Sequence, residues 1–182
     1  KGSRTVPIER WLTRSPTDKA NKIDVPKLEE FLAQGFSLVI VPLERYAPPL
    51  AALCNDIRSR LFEQIKAGVI VTTGTAGAFK VHYDPEDLII LQVEGSKRWQ
   101  IYGPPVSNPI VGMPIPLPPE NGPIIFDEIL HPGEFLFVPA GNWHHCVNGP
   151  GRYVRLGIFL VPPTTWHALK AIGAGVVRGG FV

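Results

Sequence analysis

His82-Tyr83-Asp84 sets a histidine and a carboxylate two residues apart. In an extended segment side chains alternate between faces, so these two groups project to the same side. A second histidine arriving from a distant strand would complete a set of two imidazoles and one carboxylate. Candidates stand downstream in Pro139-Ala140-Gly141-Asn142-Trp143-His144-His145. Such a triad covers one face of a metal ion and leaves the other positions open, which is the donor set of non-haem Fe(II) oxygenases. Taken alone, H-x-D with a remote His is a weak signal, and each member has a structural use as well. Asp84 precedes Pro85-Glu86-Asp87 and would serve equally as a cap on that turn. His144 and His145 are neighbours, so on a strand only one of them points inward. Cys146 shares a face with His144; as a thiolate it would favour zinc over iron, and as a small apolar filler it needs no metal. His131 lies in a Pro-Gly turn, where solvation makes it the weakest ligand candidate.

Lys97 carries a separate question. On a strand it shares a face with Trp99 and Ile101, while Arg98, Gln100 and Tyr102 take the other face. A lysine aimed at a protein interior is costly unless an anion pairs with it, and a bound dicarboxylate would be such an anion. The alternative is that Lys97, close to a turn, reaches solvent past the rim.

The elements that must position these groups are mostly strands. Leu88-Ile89-Ile90-Leu91-Gln92-Val93, the connection Glu94-Gly95-Ser96 and Lys97-Arg98-Trp99-Gln100-Ile101-Tyr102 read as a hairpin with a Gly in its loop. Ile124-Ile125-Phe126, the turn His131-Pro132-Gly133 and Glu134-Phe135-Leu136-Phe137-Val138 repeat the pattern; another turn holds His144, and Tyr153 to Val161 forms a last long strand. Many short strands punctuated by Gly and Pro predict a jelly roll, the double-stranded β-helix of the cupin barrel, whose mouth suits a metal site. The first third is helical. Asp24 caps a helix that runs through Leu28 and Leu32 to near Gly35, and Phe36 to Val41 follows as a buried strand. Pro48 and Pro49 open a longer helix with Leu50, Leu53, Ile57, Leu61 and Ile65 on one apolar face, ending near Gly68 and packing on the outside of the barrel. The expected layout is a single domain over 1–182: helical support over 1–68, barrel core over 69–163 and a C-terminal segment over 164–182.

Composition excludes several classes. With 182 residues, 45% of them hydrophobic, the chain can bury one substantial core. A net charge of +2 leaves no electrostatic footprint for direct nucleic-acid binding. No apolar run reaches the length of a membrane helix, and no signal-peptide pattern is expected in the opening residues. Two cysteines, Cys54 and Cys146, make no disulfide scaffold, so a reducing cytoplasm is expected. Lys1 is no initiator residue, and the numbering is expected to begin within a longer product or to skip stretches of it. The Pro-rich run Met113 to Pro119 is read as a loop beside the barrel, a wall for an extended chain.

Three blocks together resemble the JmjC oxygenases of the cupin superfamily, in their ribosomal-oxygenase-like branch: His82 to Asp87, Leu91 to Trp99, and Pro132 to His144. The likeness runs from about Leu28 to Trp166. It implies an Fe(II)- and 2-oxoglutarate-dependent hydroxylase acting on a protein or peptide side chain, as the branch acts on ribosomal proteins, and it leaves a homodimer open. His82, Asp84 and His144 fall on the family's metal positions, Lys97 on the basic residue for the distal carboxylate of 2-oxoglutarate, and Thr72 on a threonine lining the same pocket. Gly68 stands where an asparagine is expected, and Arg155 where a serine is often found. Arg155 would help hold the co-substrate, bind an acidic substrate or spoil the usual pocket. The rival readings are a cupin enzyme that does not use 2-oxoglutarate, a small-molecule hydroxylase, and a non-catalytic binding module.

Overall fold

The computed structural model describes residues 6–7, 10, 12–14, 21–61, 64–75, 79–110 and 122–162. The Pro-rich run from Met113 to Pro119 and the segment 164–182 lie outside them.

In chain order the elements are β1 (Leu12–Arg14), β2 (Asn21–Ile23), α1 (Val25–Ala33), β3 (Leu38–Ile40), a 3-10 turn (Leu43–Arg45), α2 (Pro48–Leu61), β4 (Gln64–Thr73), β5 (Asp87–Glu94), β6 (Lys97–Tyr102), β7 (Ile124–Leu130), β8 (Phe135–Val138), β9 (Trp143–Val147) and β10 (Arg152–Val161). A five-stranded sheet runs β3-β4-β10-β5-β8, and a three-stranded sheet runs β7-β6-β9; β1 and β2 pair with each other. Every pairing is antiparallel. Leu88, Ile90, Leu136 and Val138 of the large sheet meet Trp99, Ile101, Leu130 and Cys146 of the small one in a common core. Each buried Ile or Leu there is worth about 1.5–3 kcal/mol. The architecture is the expected jelly roll.

The central strands β4 and β10 pair over ten residues. Alternation gives each a core face and an outer face. On the outer side Ile65, Ala67, Ile158 and Leu160 pack under α2 through Cys54, with Leu50 and Ile57 partly buried. Asp24 caps α1 by accepting from the Lys27 amide, and the helix stops before Gly35 at φ +84°.

Several expectations change. The long helix ends at Leu61, not near Gly68, and Ile65 belongs to β4. The four-residue spacing of apolar side chains runs on past Leu61, but Ile65 to Thr73 is rich in β-branched residues, and sheet pairing wins over helix continuation. Leu53 and Leu61 are also exposed; the buried stripe is Leu50, Cys54 and Ile57. Both expected hairpins are corners instead. β5 and β8 lie in the large sheet and β6 and β7 in the small one, so the turns at Gly95 and Gly133 carry the chain between sheets. A Gly-containing loop specifies a reversal, not which sheet receives the second strand. Finally, His144 lies within β9 and not in a turn, while the strand expected over 36–41 is confined to Leu38–Ile40 and, as an edge strand, is not buried, Val39 being exposed.

Candidate metal centre

The segment after residue 79 has no strand of its own at His82, yet it is bound to β9 by an isolated antiparallel bridge between His82 and His144. The His82 amide donates to the His144 carbonyl at 3.1 Å, and the His144 amide donates to the His82 carbonyl at 2.7 Å. Residues directly opposite in an antiparallel pair send their side chains to the same face, so this pairing places both imidazoles together. Their ring centroids are 4.3 Å apart. Two residues on, the Gly141 amide donates to the Asp84 carbonyl at 2.9 Å, which holds the carboxylate on that face as well. A Cβ at Gly141 would strike the Val106 carbonyl, and its φ of +80° suits glycine.

One ligand atom from each of His82, Asp84 and His144 lies within 4.8 Å of the other two. The tautomers are set by the backbone. His82 Nδ1 lies 2.7 Å from the Lys80 carbonyl and His144 Nδ1 lies 3.0 Å from the Asn142 carbonyl. A carbonyl only accepts, so each Nδ1 donates, and each Nε2 keeps its lone pair for a metal. His144 Nε2 is buried with no hydrogen-bond partner, 3.6 Å from Asp84 Oδ2. Burial, followed by the charge of His82, lowers the His144 pKa from 6.5 to about 4, so that imidazole is neutral at physiological pH. An orphaned basic nitrogen facing a carboxylate fits a divalent cation.

The other candidates fall away from this point. His145 points to the opposite face of β9 and is only half-buried. Cys146 is 4% exposed; it packs in the core cluster and also lies beside Lys97 and Arg155, and it does not converge with His82 and Asp84. His131 is exposed and its Nδ1 sits 2.9 Å from Ser96 Oγ. Asp84 caps no turn; it is Asp87 that binds backbone, accepting from the Ala140 amide at 2.6 Å.

Beside the triad lies a cavity of about 160 Å³, walled by Val39, Ile70, Phe79, Leu88, Ile90 and Phe159 and bearing His82, Asp84 and Arg155. Arg155 is 6% exposed, its guanidinium 4.8 Å over the Trp99 ring. Lys97 does point inward, as its strand face requires, and is 1% exposed. Its ammonium donates to Thr72 Oγ1 at 3.2 Å and lies 5.2 Å from the centre of the Tyr153 ring. Burial lowers the pKa of both cations, and each feels further charges nearby. Thr72 is buried and also receives Asn148 Nδ2 at 3.4 Å. Sequence reasoning missed Asn148, Tyr153 and Gln92. Gln92 gave a usable signal, being the polar member of the inward set Leu88, Ile90 and Gln92 on β5.

Residues 45–167 match the family model of the JmjC domain. This chain belongs to the JmjC domain family. The JmjC domain is similar to the bifunctional lysine-specific demethylase and histidyl-hydroxylase NO66 of Drosophila mojavensis, 29% identical over 131 residues, covering 70% of this chain and 15% of that protein. NO66 of Drosophila persimilis is 32% identical over 122 residues, covering 67% of this chain and 18% of its length. Among solved structures, YcfD of Escherichia coli superposes with a TM-score of 0.60 at 22% identity, over 80% of this JmjC domain and 40% of that chain. YcfD as a ribosomal oxygenase in complex with cobalt and 2-oxoglutarate gives 0.59, also at 22% identity, over 80% and 38%. This JmjC domain thus spans less than a fifth of the NO66 proteins named and about two fifths of YcfD.

Proposed function

We propose that this chain is an Fe(II)- and 2-oxoglutarate-dependent oxygenase domain that hydroxylates a side chain of a protein or peptide. The observation that carries the reading is the converging triad of His82, Asp84 and His144, with both Nδ1 atoms tied to backbone and one open cavity beside it. His82, Asp84 and His144 would hold the iron; Lys97, Thr72 and Arg155 would hold 2-oxoglutarate. The bound metal and co-substrate supply the oxidising power: 2-oxoglutarate loses CO2 to become succinate, one oxygen atom of O2 enters succinate and the other the substrate hydroxyl. The chain's own part is placement. Nδ1 donation to the Lys80 and Asn142 carbonyls keeps both imidazoles in the ligating tautomer. Val39, Ile70, Phe79, Leu88, Ile90 and Phe159 surround the reacting space with apolar atoms and limit water there.

A protein substrate is favoured by the relatives, whose names describe a histidyl-hydroxylase and a ribosomal oxygenase. No helix among the described residues is long and apolar enough to cross a membrane, and both cysteines are free and buried; we place the domain in the cytoplasm. The test is to incubate iron-loaded protein with 2-oxoglutarate, O2 and a cell extract, then measure succinate and search peptides for a gain of one oxygen. Succinate release coupled to modified peptides is expected. Turnover confined to a small metabolite would reject the substrate class, and no succinate under any condition would reject the oxygenase.

A further inference from the structure

The turn that joins β8 to β9 touches two of the three candidate ligands. The Asn142 amide donates to the Pro139 carbonyl at 3.1 Å, Gly141 sits at φ +80°, and Ala140 keeps a negative φ. That is a type II turn, whose third residue must accept a positive φ. It leaves the amides of Ala140 and Gly141 and the carbonyls of Gly141 and Asn142 to be met from outside the turn. Each of the four finds a partner. Asp87 Oδ1 accepts from the Ala140 amide at 2.6 Å, and the Asp84 carbonyl accepts from the Gly141 amide at 2.9 Å. The Gly141 carbonyl accepts from the Val106 amide at 2.8 Å, and the Asn142 carbonyl takes His144 Nδ1 at 3.0 Å.

Two of these four contacts end on the triad: the backbone of Asp84 and the imidazole of His144. The turn also crosses from the large sheet, which holds β8, to the small one, which holds β9. The relative placement of the two ligands therefore depends on how this corner is set. Asp87 opens β5, three residues after Asp84, so the stretch from Asp84 to Asp87 grips two successive amides of the turn. One contact would let the turn pivot about it, whereas two fix its orientation. Asp87 is the only one of the four partners that is a side chain and not a member of the ligand cluster. A carboxylate acceptor also makes this bond shorter and stronger than one between neutral groups.

Resting on the metal reading above, we infer that Asp87 is a positioning residue for the metal centre. By holding the Ala140 amide it fixes the turn that seats Asp84 and aims the His144 imidazole. It supplies no ligand of its own. Its removal leaves all three donors in place and spoils their mutual geometry.

The experiment titrates metal-free protein with cobalt(II) and follows the visible ligand-field bands, which report coordination geometry as well as occupancy; no turnover enters. Asp87→Ala is expected to bind cobalt roughly 10–100-fold more weakly than wild type, the range for loss of a group that orients a ligand, with altered bands. Asp87→Asn keeps an acceptor oxygen and is expected to recover most of the affinity and the wild-type bands. Ile158→Ala, on the outer face, controls for stability: its melting temperature should fall while cobalt affinity and bands stay as in the wild type. Wild-type affinity and bands in Asp87→Ala overturn the inference. So does an Asn variant as weak as the Ala one, or a matching loss in Ile158→Ala. Should Asp87→Ala fail to fold, Ala140→Pro breaks the same bond from the donor side, because proline lacks the amide and suits the second position of a type II turn. Weakened cobalt binding is expected there as well, and wild-type binding overturns the inference. A wild type that binds no cobalt sinks the metal reading itself.

Discussion

The two faces of the β4-β10 pair do different work with the same backbone. The outer face is Ile65, Ala67, Ile158 and Leu160, sealed by α2 and free of polar side chains in its buried cluster. The inner face offers Gly68, Thr72, Tyr153, Arg155 and Gly157: two glycines, a hydroxyl, a phenol and a guanidinium. A period of two residues lets one strand stabilise with one set of side chains and bind with the other. The inner face carries a cost the outer one does not, in a desolvated Arg155, and neighbouring strands add the orphaned atoms Gln92 Oε1 on β5 and His144 Nε2 on β9. Unmet polar groups of this kind are the ones a native fold keeps for a role other than stability.

Substitutions on the two sides should therefore separate cleanly. The largest effect is expected from His82→Ala or Asp84→Ala: metal affinity falls by more than the roughly 10–100-fold that loss of a supporting contact costs, with little change in melting temperature. Isothermal titration with manganese checks it, and wild-type affinity in either variant would remove the triad. Ile158→Ala, on the outer face, is expected to do the reverse. It should cost about 2–5 kcal/mol of stability in denaturant unfolding while folded protein keeps one metal per chain.

A smaller effect follows from protons. Metal-free His144 takes a proton near pH 4 when folded and near 6.5 when unfolded. Between those values the unfolded chain binds more protons, so this residue's contribution to stability falls as pH drops from about 6.5 to about 4, then levels off. Glu86, whose pKa is raised by burial and by Asp84, opposes the trend at the acid end. The measurement is thus a difference: melting temperature against pH in chelator, wild type against His144→Gln, with the variant losing part of the slope. Parallel curves would contradict the buried neutral imidazole. The smallest effect belongs to His145→Ala, on the opposite face of β9, where metal titration should match the wild type within error.

Alternation put His82 with Asp84 and Lys97 with Trp99 on common faces, because side-chain direction on a strand is local; choosing His144 over His145, and an inward Lys97, took the family resemblance. Sheet membership was not local. Gly95 and Gly133 sit between alternating strands just as hairpin glycines do, and only the closing of two sheets over one core makes them corners. Ile65 illustrates the same limit: its spacing from Leu61 is helical, and its burial against Cys54 is real, but it reaches that position as a strand residue.

The bridge between His82 and His144 has a consequence for exchange with solvent deuterium. Their two amide protons are spent on each other's carbonyls, and neither touches the metal position. To exchange, the strands must part, and parting them separates the two imidazoles. A metal held by both rings would therefore slow exchange at two backbone sites it never contacts, in proportion to how tightly it is held. Those two amides would report occupancy of the centre with any divalent ion, including ones that are spectroscopically silent.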